Sequence, residues 1–284
     1  MAAENPQNPF EDPDFVFPAT VQTVQQADGE RKLLTFPDGF RCYTHSDEGE
    51  AALIYNEVFL KQEYMGTTDA TGAGVSSVSL ENCHCVFDVG ANIGLFTLFA
   101  KRQNPDLVVH AFEPIKATYD TLVKNIELHG LTGVRPHQCA VGQEDGGEQS
   151  ITFFPHLAGN STRYPESKED LKRMLTRILG AEKASYMFGS PQVHTVTTRT
   201  LSSVIEQEGI TAIDLLKIDT EGDELAVLQG IREEHYPIIG QIVAEMHGSA
   251  WLSETQSLLE SKGYRVFFDA GITGELNTNL YAVR

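Results

Sequence analysis

Hydrophobic residues fall into short runs that alternate with amphipathic stretches over most of the chain. Residues 86–89 form an apolar run, and after a glycine-containing turn residues 95–100 continue as an apolar helix. Further apolar runs, separated by stretches with helical spacing, cover residues 107–112, 134–141, 213–219 and 238–245. Such alternation is typical of parallel strands joined by helices on both faces of a sheet. It predicts an α/β fold with a doubly wound, mostly parallel sheet.

The first 79 residues have a different pattern. Residues 1–18 carry four prolines among polar residues, and this composition predicts an extended or poorly ordered tail. Residues 19–79 predict an arm, composed of a β-hairpin that turns at residues 37–39, a helix over 48–64 and a Thr/Gly/Ser-rich connection. The main domain is then expected to span residues 80–284, and the flexible connection would allow the arm to fold over its mouth as a lid.

Residues 160–192 predict an insertion in the main domain. Asn160 and Ser161 favour a turn, and residues 166–180 predict an amphipathic helix. The polar face of this helix carries the basic residues Lys168, Lys172, Arg173 and Arg177. The simplest interpretation is a solvated helix face, and a face that contacts the substrate is the alternative.

Composition narrows the classes of partner. The chain has 284 residues and a formal charge of −19, so its surface as a whole repels nucleic acid and anionic membranes. Because the sequence shows neither a basic-then-apolar leader nor an apolar run of about 20 residues, we expect a soluble, cytoplasmic protein. Four cysteines in a chain of this length do not indicate a disulfide framework. Both a monomer and a homodimer fit the sequence.

The turn after the first strand of the main domain carries the clearest candidate chemistry. Gly90 and Gly94 stand four apart in the run G-A-N-I-G, and Asp88 precedes them. Gly90 can take a positive φ, and Gly94 lets the helix start close to the strand and to a ligand. A dinucleotide-binding turn has the spacing G-x-G-x-x-G and little negative charge, whereas a carboxylate suits a cationic ligand with an amino group. The motif therefore favours S-adenosylmethionine over NAD.

A second carboxylate supports the same cofactor. Glu113 ends the next apolar run, nineteen residues after Gly94, where it can accept hydrogen bonds from both ribose hydroxyls. The simpler alternative is a plain strand–turn–helix unit in which Asp88 only caps the helix.

Two pairs of polar residues end later strands. Asp219 and Glu221 are two apart, as are Glu245 and His247, and strand periodicity sends the members of each pair the same way. His247 is the preferred general base because its charge can change near neutral pH, although a histidine that only caps the loop fits equally well. These four side chains could also hold a divalent ion. An ordinary hydrogen-bonded pocket is the simpler interpretation, so no metal is expected.

These motifs resemble those of one known family. The similarity to the FkbM-type methyltransferases lies in residues 86–94, in Phe-Glu-Pro at 112–114, in L-L-K-I-D-T-E-G at 215–222 and in Glu-Met-His at 245–247. It covers roughly residues 80–284. The resemblance implies a class I, Rossmann-like methyltransferase domain with a seven-stranded sheet, S-adenosylmethionine as cofactor and a role in secondary metabolism.

The resemblance also implies roles for individual residues. Those that would bind the cofactor are Asp88, Gly90, Asn92, Gly94, Glu113, Pro114, Ala140, Val141, Asp219 and Glu221. The candidate catalytic residues are His247, Asp219 and Glu245. The candidate substrate-binding residues are Asn160, Ser161, Arg163, Tyr55, Tyr64 and His247.

The expected function is transfer of a methyl group to an oxygen of a small molecule. A hydroxyl acceptor gains from a general base, whereas a carboxylate needs only orientation. A narrower guess is a small carboxylic acid, because arginine binds carboxylates bidentately and basic residues such as Arg163 and Arg199 stand near the insertion. The alternatives are an NAD-dependent oxidoreductase, a binding protein that keeps the fold without catalysis, and a methyltransferase for a sugar or nitrogen acceptor.

Overall fold

The computed structural model describes residues 8–26, 29–66, 78–247, 251–270 and 277–284, so most of the predicted connection before the main domain lies outside it. The arm is a three-stranded antiparallel sheet and a helix: β1 (Thr20–Gln26), β2 (Gly29–Thr35), β3 (Arg41–Thr44) and α1 (Glu48–Tyr55). The turn between β2 and β3 lies at residues 37–39, as predicted. The single helix predicted over residues 48–64 is instead divided, because α1 passes into a π-helical turn (Asn56–Leu60) and a separate 3-10 turn (Glu63–Met65).

Strands and helices alternate through the rest of the chain. In order they are β4 (Cys85–Val89), α2 (Leu95–Gln103), β5 (Val108–Phe112), α3 (Lys116–Leu128), β6 (Val134–His137), β7 (Ala140–Val141), β8 (Glu148–Phe153), α4 (Glu169–Leu179), α5 (Ala181–Met187), β9 (Gln192–Arg199), α6 (Leu201–Glu208), β10 (Ile213–Ile218), α7 (Glu224–Gln229), β11 (Ile239–His247), α8 (Leu252–Ser261), β12 (Arg265–Ala270) and β13 (Asn277–Val283). Within the described ranges no helix is both long and apolar enough to cross a bilayer.

Seven strands form the main sheet in the order β12-β13-β11-β10-β4-β5-β6. The pairs from β11 to β6 are parallel, and β13 is antiparallel to both of its neighbours. Alternate residues of the central strands pack into two different hydrophobic clusters: Val86 lies with α2 on one face, and Phe87 lies with α6, α7 and α8 on the other. The predicted doubly wound α/β fold is confirmed. Strands β5 and β6 are added on one side of β4 and strands β10 and β11 on its other side, so the strand order reverses between β4 and β10.

A smaller sheet of three strands is separate from the main one. The single strand predicted over residues 134–141 is two strands, because β7 leaves the main sheet and pairs with β9, which also pairs with β8. Between β8 and β9 the insertion forms α4 and α5, whose apolar sides pack on Phe154 and Leu157. This arrangement places the loop at residues 158–163 next to the carboxyl ends of the central strands.

Buried asparagines attach the arm to the main domain. Asn125 of α3 accepts a hydrogen bond from the backbone N–H of Tyr43 (2.6 Å) and donates to the carbonyls of Tyr43 (3.1 Å) and Ile93 (2.8 Å). Asn56 pairs in the same way with both backbone groups of Val16 at 2.8 Å. Part of the predicted tail is thereby held against the arm helix.

Candidate functional site

A cleft of about 690 Å³ opens at the carboxyl ends of β4, β5 and β10, where the strand order reverses. Doubly wound sheets bind ligands at this position. The cleft brings together ten of the residues predicted for binding: Gly90, Asn92, Glu113, Pro114, Ala140, Val141, Ser161, Arg163, Asp219 and Glu221. It also includes Phe112 and Cys139, which adjoin the predicted Glu113 and Ala140, and Ile115, Ile151 and Ala158, which were not predicted as binding residues. We call these five the apolar slot.

Each of the two glycines in the turn lies so close to a neighbouring element that a side chain would collide with it. Gly90 has φ +76°, and a Cβ added there would lie 1.7 Å from the carbonyl oxygen of Asp219. Gly94 has φ +91°, and its Cβ would lie 2.5 Å from Leu122 Cδ1 of α3. Gly90 therefore lets β4 and β10 end side by side. Gly94 lies against the packed helix α3 and does not line the cleft, whereas a contact with a ligand was predicted for it.

Asp88 lies beneath the cleft and does not line it. Its side chain is completely buried, accepts a hydrogen bond from Thr97 Oγ1 (2.7 Å) and is 3.3 Å from Lys217 Nζ. Lys217 in turn donates to the carbonyl of Gly90 (2.8 Å) and lies 3.4 Å from Asp219. Asp88 thus supports the turn through Lys217, in contrast to the ligand contact predicted for it. The signal for this pair was a lysine inside an apolar strand, because a buried lysine needs an acidic partner.

Glu113 reaches from the end of β5 to the glycine turn. Its two carboxyl oxygens accept hydrogen bonds from the backbone N–H groups of Asn92 (3.1 Å) and Ile115 (2.9 Å). Burial raises the pKa of Glu113 to about 7, and these two hydrogen bonds limit the rise. Each oxygen retains acceptor capacity toward the cleft, as the predicted contact with a ribose diol requires.

A group of acidic side chains surrounds the hydroxyl of Tyr64, which comes from the arm. Tyr64 Oη lies 3.1 Å from Asp219 Oδ2 and 3.0 Å from Glu245 Oε2. Burial and the charge of Asp219 raise the pKa of Glu245 to about 7. Burial and the charge of Glu245 raise the pKa of Glu63 to about 8 and that of Glu57 well above its usual value. We call these four carboxyl groups and Tyr64 the acidic wall, of which Asp219 lines the cleft.

His247 is an ion-pair partner in this structure. Its Nδ1 lies 3.1 Å from Glu224 Oε1, and its Nε2 lies 3.1 Å from Glu221 Oε2. Burial opposes a charge on the ring, but Glu221, Glu224 and Glu245 together raise the pKa of His247 to about 10. A histidine that is protonated at neutral pH cannot accept a proton, so the geometry contradicts the preferred role of general base and favours the capping alternative.

Glu224 explains why the histidine is held there. One oxygen of Glu224 accepts hydrogen bonds from the backbone N–H groups of Thr220 (3.2 Å) and Gly222 (2.9 Å), and it also contacts His247. The turn between these residues contains Glu221 at φ +58°, a left-handed conformation that is uncommon for a residue with a side chain. His247 and Glu224 therefore fix the loop that carries Glu221 into the cleft.

Ligand atoms of Asp219, Glu221 and His247 all lie within 4.8 Å of one another, which is close enough for a metal ion. Two cations already occupy this place, because Glu221 is paired both with Lys168 and with protonated His247. A metal would have to displace both of them, and we assign none.

Several predicted substrate residues lie elsewhere or are already paired. Tyr55 is buried in the arm, where its ring stacks on Phe36 with a centroid distance of 3.8 Å, and Asn160 does not line the cleft. Arg163 is paired with Asp223 at 2.9 Å. Because Lys168 is paired with Glu221, neither of these two basic residues is available as a simple carboxylate binder.

Glu50 of α1 does not line the cleft but holds the backbone of two residues that do. Its carboxyl oxygens accept hydrogen bonds from the backbone N–H groups of Gly159 (2.7 Å) and Ala158 (3.1 Å), and Ser46 donates to it as well. Burial raises its pKa to about 7. A glutamate among small helical residues gives no local sign of this contact, since its partners lie more than 100 positions away along the chain.

The chain matches the family model described as the methyltransferase FkbM domain over residues 88–266. It is 36% identical over 230 residues to methyltransferase sdnD of Sordaria araneosa, an alignment that covers 78% of this chain and 84% of that protein. It is also 36% identical over 247 residues to the 31-O-demethyl-FK506 methyltransferase FkbM of Streptomyces tacrolimicus, covering 83% and 89% of the two chains. The crystal structure of methyltransferase FkbM from Methylobacillus flagellatus KT is 16% identical, with a TM-score of 0.46 and coverage of 84% of this chain and 56% of that one. The chain belongs to the FkbM family of S-adenosylmethionine-dependent methyltransferases.

Proposed function

We propose that the protein transfers a methyl group from S-adenosylmethionine to a hydroxyl oxygen of a small, uncharged molecule. The observation that carries this proposal is the acidic wall, in which Asp219 faces the cleft with Tyr64 and Glu245 behind it.

The residues of the cleft suit the parts of this cofactor. Glu113 offers two oxygens to a ribose diol, and the apolar slot offers a surface on which an adenine ring can pack. Asp219 offers a negative charge to the positively charged methionine end of the cofactor. When bound, the cofactor supplies an electrophilic methyl group on a sulfonium.

The acidic wall favours a neutral acceptor. A carboxylate that approaches Asp219 is repelled by it, and neither Arg163 nor Lys168 is free of an acidic partner. An amine is attracted, but nearby carboxylates raise its pKa and hold it as an ammonium ion without a lone pair. A hydroxyl enters without a charge, and Asp219 can accept its proton as the new O–C bond forms and the C–S bond breaks.

One relative supports an oxygen acceptor. The protein from Streptomyces tacrolimicus is named as a methyltransferase of 31-O-demethyl-FK506, a name that places the transferred methyl group on an oxygen. We extend only this feature to the present chain, and not the acceptor compound named there.

The test uses the purified full-length protein, tritiated S-adenosylmethionine and a panel of alcohols, carboxylic acids and amines that share carbon skeletons. We expect methyl ethers from alcohols. Asp219→Asn should lower their formation by about 10²–10⁴-fold, far more than it weakens S-adenosylhomocysteine binding. Methyl esters or methylamines as the only products would refute the hydroxyl acceptor, and a protein that does not bind S-adenosylhomocysteine in calorimetry would refute the use of this cofactor.

We expect Glu113→Gln to weaken S-adenosylhomocysteine binding by about 10–100-fold, because hydrogen bonds to a charged group contribute about 1.5–3 kcal/mol each. Binding to the native protein should also weaken as the pH falls below about 7, where Glu113 becomes protonated and loses acceptor capacity. Calorimetry at pH 6 and pH 8 measures both effects. The exposed Glu144→Gln serves as control, and an equal pH dependence in native protein and Glu113→Gln would contradict the assignment.

A further inference from the structure

In the acidic wall, Tyr64, Asp219 and Glu245 make two contacts that require two protons for two hydrogen bonds. Tyr64 Oη is within hydrogen-bond distance of both Asp219 and Glu245, yet a phenol has a single O–H to donate. If both carboxyl groups are ionised, one of the two contacts has no proton in it. One additional proton on either carboxyl group turns both contacts into hydrogen bonds. The arrangement is therefore suited to accept one proton.

The two ends of this arrangement differ in their access to a substrate. Asp219 lines the cleft, whereas Glu245 does not and reaches Asp219 by way of Tyr64. Lys217 Nζ lies 5.2 Å from the centre of the Tyr64 ring and 3.4 Å from Asp219, so one cation lies beside both residues. A proton that Asp219 takes up in the cleft can therefore reach Glu245 through one side chain, that of Tyr64.

We infer that Tyr64 and Glu245 form a proton relay with Asp219, so that the proton of the acceptor hydroxyl is taken by Asp219 and ends on Glu245. This inference rests on the proposed function for the identity of the acceptor. Asp219 is the catalytic residue because it meets the acceptor, and Tyr64 and Glu245 are positioning residues that act through it.

The transfer balances without a further reactant. The acceptor oxygen forms a bond to the methyl carbon as the C–S bond breaks, and its proton moves to Asp219. Asp219 passes a proton to Tyr64 Oη while Tyr64 passes its own to Glu245. The result is a protonated Glu245, an unchanged tyrosine and an ionised Asp219, and the stored proton later leaves to solvent.

The surroundings of Glu245 are suited to hold a proton at neutral pH. Burial and Asp219 raise the pKa of Glu245 to about 7, while the charge of His247 and the hydrogen bond from Tyr64 limit the rise. The charged and titratable groups that face it from the neighbouring elements are Asp219, Glu221, His247, Tyr64, Glu57, Glu63, Lys217 and Tyr281. Above pH 7 Glu245 is ionised and ready to receive a proton.

The first test needs neither cofactor nor acceptor. Infrared difference spectra of the full-length protein between pH 5 and pH 9 report the C=O stretch of protonated carboxyl groups. We expect a component that titrates near pH 7 in the native protein, is missing in Glu245→Gln, and moves to higher pH in Tyr64→Phe because the hydrogen bond to ionised Glu245 is lost. Tyr236→Phe, which removes a buried hydrogen bond to the carbonyl of Leu228, is the matched control. Identical spectra for Tyr64→Phe and the native protein would overturn the relay.

The second test measures kcat against pH with whichever alcohol of the panel is turned over fastest. Native kcat should rise with pH through about 7, because Glu245 must be ionised to receive the proton. Tyr64→Phe should lower kcat by about 10–100-fold, keep KM for S-adenosylmethionine within about twofold, and lose the rise near pH 7. A variant that keeps the native pH profile would show that Tyr64 has only a structural role. Failure of the proposed function appears instead as absent cofactor binding or absent ether formation, and the infrared result stands apart from both.

Discussion

Gly90→Ala is expected to abolish S-adenosylhomocysteine binding and to lower the free energy of unfolding by more than about 4 kcal/mol, which places it among the most severe single substitutions. The added Cβ would lie 1.7 Å from the carbonyl oxygen of Asp219, at a φ of +76° that L-residues avoid. Neither backbone can yield easily, since Gly90 N–H donates to Phe112 (3.1 Å) and Asp219 N–H donates to Val89 (3.0 Å). Denaturant unfolding and calorimetry measure the two effects.

Gly130→Ala is the matched control for this substitution. Gly130 also has a positive φ, +58°, but no other atom lies within 4 Å of the position of its Cβ. We expect a loss of only about 1–2 kcal/mol from the left-handed backbone, with unchanged S-adenosylhomocysteine binding. Equal losses for the two variants would show that the contact between the ends of β4 and β10 has no special cost.

His247→Gln should lower the free energy of unfolding by about 3–5 kcal/mol near pH 6.5, the usual cost of removing one partner of a buried ion pair. Glu224 has only 1% of its side chain exposed and would lose its positively charged neighbour. Urea unfolding measures the difference, and the exposed His84→Gln controls for the loss of a histidine as such.

The cost of His247→Gln should depend on pH with a defined sign. Because the carboxylates raise the pKa of His247 from 6.5 in the unfolded chain to about 10 in the folded one, its stabilisation is complete below pH 6.5 and is lost as the pH rises toward 10. Native and variant stabilities should therefore converge by about 1.4 kcal/mol per pH unit in this window. A difference that stays constant or grows at alkaline pH would refute a protonated His247.

The fold could be predicted because its signals are local. Strands β4, β5 and β10 are apolar runs of five or six residues, and the turn at Gly90 and the carboxylate of Glu113 stand beside the strands they follow. The carboxyl ends of parallel strands meet at one edge, so these residues were expected to meet there. The division of the run at residues 134–141 could not be foreseen, because it depends on the pairing of β7 with β9, some sixty residues later.

The chemistry of the site could be predicted only in part, because charge states depend on partners from distant segments. The residue type of His247 suggests a base near neutral pH, but Glu221 and Glu224 turn it into a fixed cation. The basic residues of the insertion suggest an anionic substrate, yet Arg163 and Lys168 find carboxylates in the loop after β10. Counting charges along a sequence does not reveal which of them neutralise each other.

The arm has a consequence for protein engineering. Tyr64, Glu57 and Glu63 belong to the segment before the main domain, while Asp219 and Glu245 belong to its sheet. A chimera that joins the arm of one relative to the body of another would exchange three of the five side chains of the acidic wall and leave Glu113 and the glycine turn untouched. Shuffling at this junction is thus a way to alter acceptor choice, provided that the incoming arm keeps a carboxylate at the position of Glu50, which holds Ala158 and Gly159 at the cleft.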